Sequence, residues 1–279
     1  MKLCIRGHDL GVTGIGPIRD KLTAYGLDGV QLVAYKSCPD LAYVPGSITR
    51  DRAAEIRGEL AGFDIPLLGA YFNPVHPDPA KRENGFAVFA DYLRAASAFG
   101  SPVVASETGS LNGDQWTYHP GNRTEEALDT VADTFARLCD IAADSGVSVA
   151  MEGVADHVCW NIQRLDLAQK RIGRSNLKVI FDLCNYLEGP DQRDYLAVLD
   201  RGLDTFAGRI HAFHMKDCRF TGQRRPQGVP LGTGELDLRA VLARIKAYDR
   251  NAVLVLEETT EPYLSLIHIS EPTRHAQIS

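Results

Sequence analysis

The sequence predicts a (β/α)8 barrel, and three observations carry that prediction. Short apolar runs recur eight times along the 279 residues. Stretches of helical period separate them, so that strand and helix alternate from end to end. The runs are apolar throughout rather than alternating, as strands of a parallel sheet covered on both faces are. The length is close to the roughly 250 residues such a barrel occupies. A closed barrel fits better than an open doubly wound sheet, because the segments after the runs are longer and more polar than those before them. That asymmetry is expected when one face carries the site.

In order, the predicted strands are Lys2–Arg6, Gly29–Ala34, Pro66–Phe72, Pro102–Glu107, Val147–Glu152, Lys178–Asp182, Arg209–Met215 and Ala252–Glu257. The clearest helix is Thr124–Ser145: Leu128, Val131, Phe135, Leu138 and Ala142 share one face, Thr124 caps the start and Gly146 stops the end. Gly26, Gly100 and Gly146 each close a helix shortly before a strand, and Pro17 and Pro190 stand where first-turn prolines are tolerated. Seven helices are expected between the strands, with no eighth. Residues 264–274 read LSLIHISEPTR, which matches an in-frame translation of the transposase adapter used in sequencing-library preparation. The expected organisation is therefore a single catalytic domain over 1–263 and a non-native tail over 264–279, His268 and His275 included. A native final helix would have followed the last strand.

Composition narrows the function classes. No apolar run approaches the about 18 residues of a membrane span, so no membrane partner is expected. The start at Met1–Arg6 lacks a basic and apolar leader, and the six cysteines (4, 38, 139, 159, 184, 218) form no CxxC pair. Both features predict reduced thiols and a cytoplasmic protein. A net charge of −6 gives no general attraction for nucleic acid. A homo-oligomer is left open.

Four residues point to chemistry. Glu152, Asp182, His214 and Glu257 each stand at or near the C-terminal end of a predicted strand, about 25 to 45 residues apart and so one per βα unit. Three acids and an imidazole converging at one end of a sheet would repel or lose solvation unless a cation compensated them. The donor set suits Mn²⁺, Mg²⁺, Co²⁺ or a catalytic Zn²⁺. Taken singly, each could be a helix cap or a charge at the barrel mouth. Two carboxylates on the fifth and eighth strands would allow proton removal on one face of a substrate and return on the other.

The strand ends VAMEG (149–153), FDLCN (181–185), FHMKD (213–217) and VLE (255–257) resemble those of the xylose-isomerase-like TIM barrels. The GTGELD turn (232–237) is similar to the turn these proteins carry before their seventh helix. This superfamily contains sugar-phosphate isomerases and epimerases, ketose 3-epimerases, hydroxypyruvate isomerases, inosose dehydratases and, more distantly, endonuclease IV. The resemblance spans residues 1–263. It implies a metal-dependent isomerase or epimerase of a small sugar or sugar phosphate, with Glu152 and Glu257 as both ligands and acid/base pair around an enediolate. An inosose-type lyase, an endonuclease IV-like repair enzyme and a non-catalytic sugar-binding barrel are the alternatives. The chain departs from some relatives at Asn185, where they carry histidine. It departs from the ketose 3-epimerases at Asp217 and Phe220, where they carry glutamate and arginine, with Arg219 one place earlier. Substrate identity does not carry over.

Expected substrate contacts are Arg6, His8, Glu107, His157, Asn185, Lys216, Asp217 and Arg219, with Lys216 and Asp217 also supporting the ligands. Asn73 and His76 read as loop residues. Trp116, Tyr118 and His119 read as a lid or as rim packing, and His211 as a satisfied core histidine. The basic run Arg219, Arg224 and Arg225 is either a solvated face or a phosphate contact.

Overall fold

The computed structural model describes residues 1–260 and 263–266. Eight parallel strands close a barrel: β1 (Lys2–Arg6), β2 (Gly29–Leu32), β3 (Asp64–Gly69), β4 (Val103–Glu107), β5 (Ser148–Glu152), β6 (Leu177–Asp182), β7 (Ile210–Met215) and, after a two-stranded hairpin, β10 (Val253–Leu256). Neighbours around the barrel run β1, β10, β7, β6, β5, β4, β3, β2. The crossovers are α1 (Ile15–Ala24), the pair α2 (Ala34–Ser37) and α3 (Arg50–Glu59), α4 (Pro79–Phe99), α5 (Glu125–Asp144), α6 (Ile162–Ile172), α7 (Tyr195–Thr205) and α8 (Leu238–Tyr248). The hairpin, β8 (Asp217–Arg219) with β9 (Gln227–Val229), occupies the loop after β7 and was not expected from the sequence. Among the described residues no helix is long and apolar enough to cross a membrane.

The core has two layers. Cys4, Leu67, Val103, Ala105, Ala150, Ile180, Ala212 and Val255 fill the barrel interior. A larger layer packs strands against helices, and the predicted face of α5 lies in it, with Thr124 capping the Ala127 N–H. At Gly202 of α7 a Cβ would stand 2.1 Å from the Phe181 ring, so only glycine lets that helix lie on β6. All six cysteines are buried free thiols.

Two predicted strands end early. β2 stops at Leu32 because the chain turns at once into α2, and β3 runs Asp64–Gly69, leaving Tyr71 and Phe72 to the following loop. Pro66 lies where the β2–β3 register shifts, a place that needs no ladder hydrogen bond from it. A second shift, between β6 and β7, falls at His211. Its Nε2 donates to the Pro66 carbonyl at 2.8 Å, so His211 is a satisfied core histidine that ties β7 to β3. Leu264, the first residue of the stretch read as a tail, is buried in the outer core. Residues 267–279, and with them any eighth helix, lie outside the described residues.

Candidate metal centre

The four predicted ligands end neighbouring strands. Glu152 closes β5, Asp182 closes β6, His214 stands one residue from the end of β7 and Glu257 follows β10, so the set forms a continuous arc at the C-terminal mouth. All four are buried, and one donor atom from each lies within 4.8 Å of the others. His214 Nδ1 stands 3.2 Å from Glu152 Oε1 and 2.9 Å from Glu257 Oε2. Its other nitrogen, Nε2, donates to Gln31 Oε1 at 2.7 Å, and Gln31 Nε2 donates in turn to the Tyr71 hydroxyl at 2.7 Å. That chain keeps a proton on Nε2 and turns Nδ1 toward the carboxylates, the orientation a metal-binding histidine needs.

Further groups brace the carboxylates. Asn185 donates from its side chain to Glu152 Oε1 at 2.8 Å and from its backbone to Asp182 Oδ1 at 3.2 Å. Arg6 pairs with Glu257 and, through two bonds of 2.9 and 3.0 Å, with Asp9. Lys216 Nζ lies 3.1 Å from Asp182 Oδ2 and 3.3 Å from Glu257 Oε2. Those two buried oxygens nevertheless have no well-formed hydrogen bond, although His214 Nδ1 lies close to the second. Burial opposes charging His214, yet Glu152 and Glu257 outweigh it and raise its pKa to about 10. Burial alone would raise Glu257, but Lys216, His214 and Arg6 hold it well below the usual carboxylate range. Asp182 goes the other way, raised chiefly by burial.

The residues fit a divalent ion. Two buried carboxylate oxygens lack hydrogen bonds, and the proton on His214 Nδ1 sits among acids where a cation would stand. The family model for xylose isomerase-like TIM barrels covers residues 20–277. The chain belongs to that family. Solved structures share its fold at low identity. One is the 3-keto-D-glucoside 4-epimerase YcjR of E. coli, at 15% identity and a TM-score of 0.71 over 97% of both chains. Another is the probable 3-DHS dehydratase AsbF of Bacillus anthracis, at 12% identity and a TM-score of 0.72 over 98% of this chain and 100% of that one. A curated relative, the probable endonuclease 4 of Campylobacter curvus, is 25% identical over 192 residues, and the match spans 62% of its length.

Around the arc of this family member, the other predicted residues divide. Arg6, Asn185 and Lys216 touch the ligands as described. His8 lies beside Arg6, its Nδ1 buried without a hydrogen bond, and burial, then Arg6 and Lys36, lower its pKa to about 4. Glu107 ends β4 next to Glu152 in register, and burial followed by Glu257 raises its pKa to about 7. His157 Nδ1 is 3.4 Å from Glu107, its Nε2 donates to the Trp116 carbonyl at 3.0 Å, and burial lowers its pKa to about 4.

Asp217 and Arg219 are not brought to the ligands. Asp217 accepts from the backbone N–H of Cys218, Gly232, Gly234 and Leu236, and a Cβ at Gly234 would stand 2.2 Å from its Oδ1. The GTGELD turn is thus folded around Asp217, and Arg219 donates to the Thr233 carbonyl of the same turn. Arg224 and Arg225 both pair with Asp156, and Arg224, which is exposed, pairs also with Glu188. Asn73 and His76 organise the loop after β3, Asn73 on Ser110 and Gly113 and His76 on Asp78 and Asp114. His119 is spent on the Gly121 N–H, and Tyr118 lies between Arg123 and Arg224. Sequence reasoning missed Gln31 and Tyr71. The available signal was a fully buried glutamine inside the apolar run Val30–Leu32.

Proposed function

We propose that the chain is a divalent-metal-dependent isomerase or epimerase of a small sugar or sugar phosphate, acting by proton transfer next to a carbonyl through an enediolate. The observation that carries this reading is the arc itself, with glutamates at its two ends and histidine and aspartate between. Bound there, Mn²⁺, Mg²⁺, Co²⁺ or Zn²⁺ would supply the charge that stabilises oxygen-centred anions. Glu152 and Glu257 approach a substrate from different strands, so one takes a proton from one face and the other returns it to the opposite face. Asn185 holds Oε1 of Glu152, leaving Oε2 for the proton. Arg6 orients Glu257 and keeps it ionised between turnovers. Lys216, close to two of the carboxylates, offsets charge as the oxyanion forms.

Fold neighbours support the reading: the 4-epimerase above, a D-psicose 3-epimerase crystallised with D-fructose, the IOLI protein with a zinc atom and a mycobacterial barrel with magnesium. A lyase is the second reading, favoured by Glu107. With a pKa near 7, it is partly protonated at neutral pH and could give that proton to a departing β-hydroxyl, releasing water. A nucleic-acid substrate is not proposed, since the net charge of −6 opposes a polyanion.

The test is incubation with Mn²⁺ or Co²⁺ and a ketose panel in deuterated water. Deuterium should enter one C–H position, and Glu152→Gln and Glu257→Gln should each slow its entry by roughly 10² to 10⁴. Near-parental exchange in both variants would refute the two-glutamate transfer. A product lighter by one water would replace the isomerase with the lyase.

A further inference from the structure

Beside the carboxylate arc lies a cavity of about 540 Å³ for which proton transfer has no use. Its lining includes none of the four arc residues. Tyr71 connects the two, since its hydroxyl accepts from Gln31, which holds His214. The size is that of a small-molecule site, about 300 to 1,000 Å³. It therefore has room for a group additional to whatever the arc binds.

The walls specify the group. Tyr35, Tyr43, Tyr71, Phe72 and Trp116 all line the cavity. Tyr35 and Tyr43 meet edge-on with centroids 4.9 Å apart. Trp116 is fixed from behind, its carbonyl on His157 and its ring edge-on to that imidazole at 5.8 Å. Its φ of 53° is one that bulky residues rarely adopt, which marks a conformation held by its surroundings. Aromatic faces of this kind favour the apolar faces of a ring. The charges at the rim cancel: Lys81 pairs with both oxygens of Asp114, which also meets His76 at 3.0 Å. An anionic group would find the cavity's lysine already taken.

We infer that this cavity receives a neutral ring joined through a glycosidic bond to the sugar that reacts at the arc, a sugar that keeps a free carbonyl of its own, so that the substrate is a glycoside rather than a free or phosphorylated monosaccharide. The reacting half of that statement rests on the proposed function, but the cavity's affinity for a ring does not.

The chain contains two tryptophans, Trp116 and Trp160, and Trp160 is stacked by Arg123 and Arg164. A Trp160→Phe variant therefore makes Trp116 a single fluorescent reporter of the cavity. It is titrated, without added metal, with methyl glucoside, phenyl glucoside, a glucosyl glucoside and glucose 6-phosphate. The two ring-bearing glycosides should change Trp116 emission and bind roughly tenfold more tightly than methyl glucoside. Ala80→Phe, which fills the cavity from an exposed position, and Tyr43→Ala should each abolish that preference, and Tyr43→Phe should keep it. Equal affinities, tightest binding of glucose 6-phosphate, or a preference surviving in Ala80→Phe would overturn the inference. Because the titration needs no turnover, a ring preference without deuterium exchange on any sugar would defeat only the proposed reaction. Exchange on free ketoses without a ring preference would defeat only the cavity's role.

Discussion

On one side of the barrel mouth, β5, β6, β7 and β10 end in charged groups that face one another within a few ångströms. On the other, the loops after β2, β3 and β4 end in aromatic rings around an open cavity. The first side is crowded with charge that a cation would resolve, and the second has its charges paired off at the rim. The proposed chemistry and the inferred recognition thus fall on different arcs of one barrel. Gln31, reaching across to His214, is the residue that joins them.

The largest effect expected from breaking this division is at Asp182. Asp182→Asn should lower metal affinity at least about a hundredfold by titration calorimetry, because it removes a buried ligand rather than a supporting group. Ring binding at Trp116 should persist in the same variant. Loss of both together would mean that the two arcs are one site.

Next comes Gln31→Leu, which leaves His214 Nε2 without its acceptor. Metal affinity should fall roughly 10- to 100-fold, the cost typical of removing a group that orients a ligand. Tyr71→Phe, one bond further away, should have a smaller effect on the metal and a larger one on ring binding. The opposite ranking would move Tyr71 into the metal arc.

His157, which backs the cavity wall, gives a pH test. Its folded pKa of about 4 lies below the unfolded value near 6.5, so the unfolded chain binds the extra proton between them. Its contribution is complete above pH 6.5 and disappears as pH falls through 4, a change on the order of 3 kcal/mol. His8 works in the same direction. Glu107, raised to about 7, works in the opposite one across 4.5 to 7. The informative quantity is therefore the difference between parent and His157→Gln in chemical denaturation at pH 7 and pH 4.5. A variant that loses as much stability on acidification as the parent would assign the effect elsewhere.

Lys81→Met should do least. Its partner Asp114 is exposed, and exposed pairs contribute little. Affinity for phenyl glucoside should stay within about twofold. A collapse would show that the cavity does need a positive charge.

The charged arc was legible in the sequence, whereas of the aromatic one only Trp116 was singled out, as a lid or rim residue. Glu152, Asp182, His214 and Glu257 could be picked out because each interrupts an apolar run at the same point of its βα unit, and the barrel does the converging. The strands and α5 were readable for the same local reason. Gln31 lies 183 residues from His214, and no spacing rule connects a second-strand glutamine with a seventh-strand imidazole. Tyr35 stands in the one-turn helix α2 and Tyr43 and Trp116 in loops without period, and only the folded chain brings them together. Asp217 misled because its neighbour Lys216 does reach the ligands. The next residue enters a hairpin and spends its carboxylate on four backbone N–H groups, three of them in the GTGELD turn.

The interior layer of small apolar side chains and the His211–Pro66 bond close the barrel below the arc. On the proposed function, ion and sugar would enter from the C-terminal mouth, and loading would have an order, the ion first at the bottom and the sugar above it as a stopper. A chelator approaching from solvent then meets the sugar before the metal, so saturating substrate should slow the stripping of the ion. On that reading the product would leave by the way the substrate came, before the next turnover could begin.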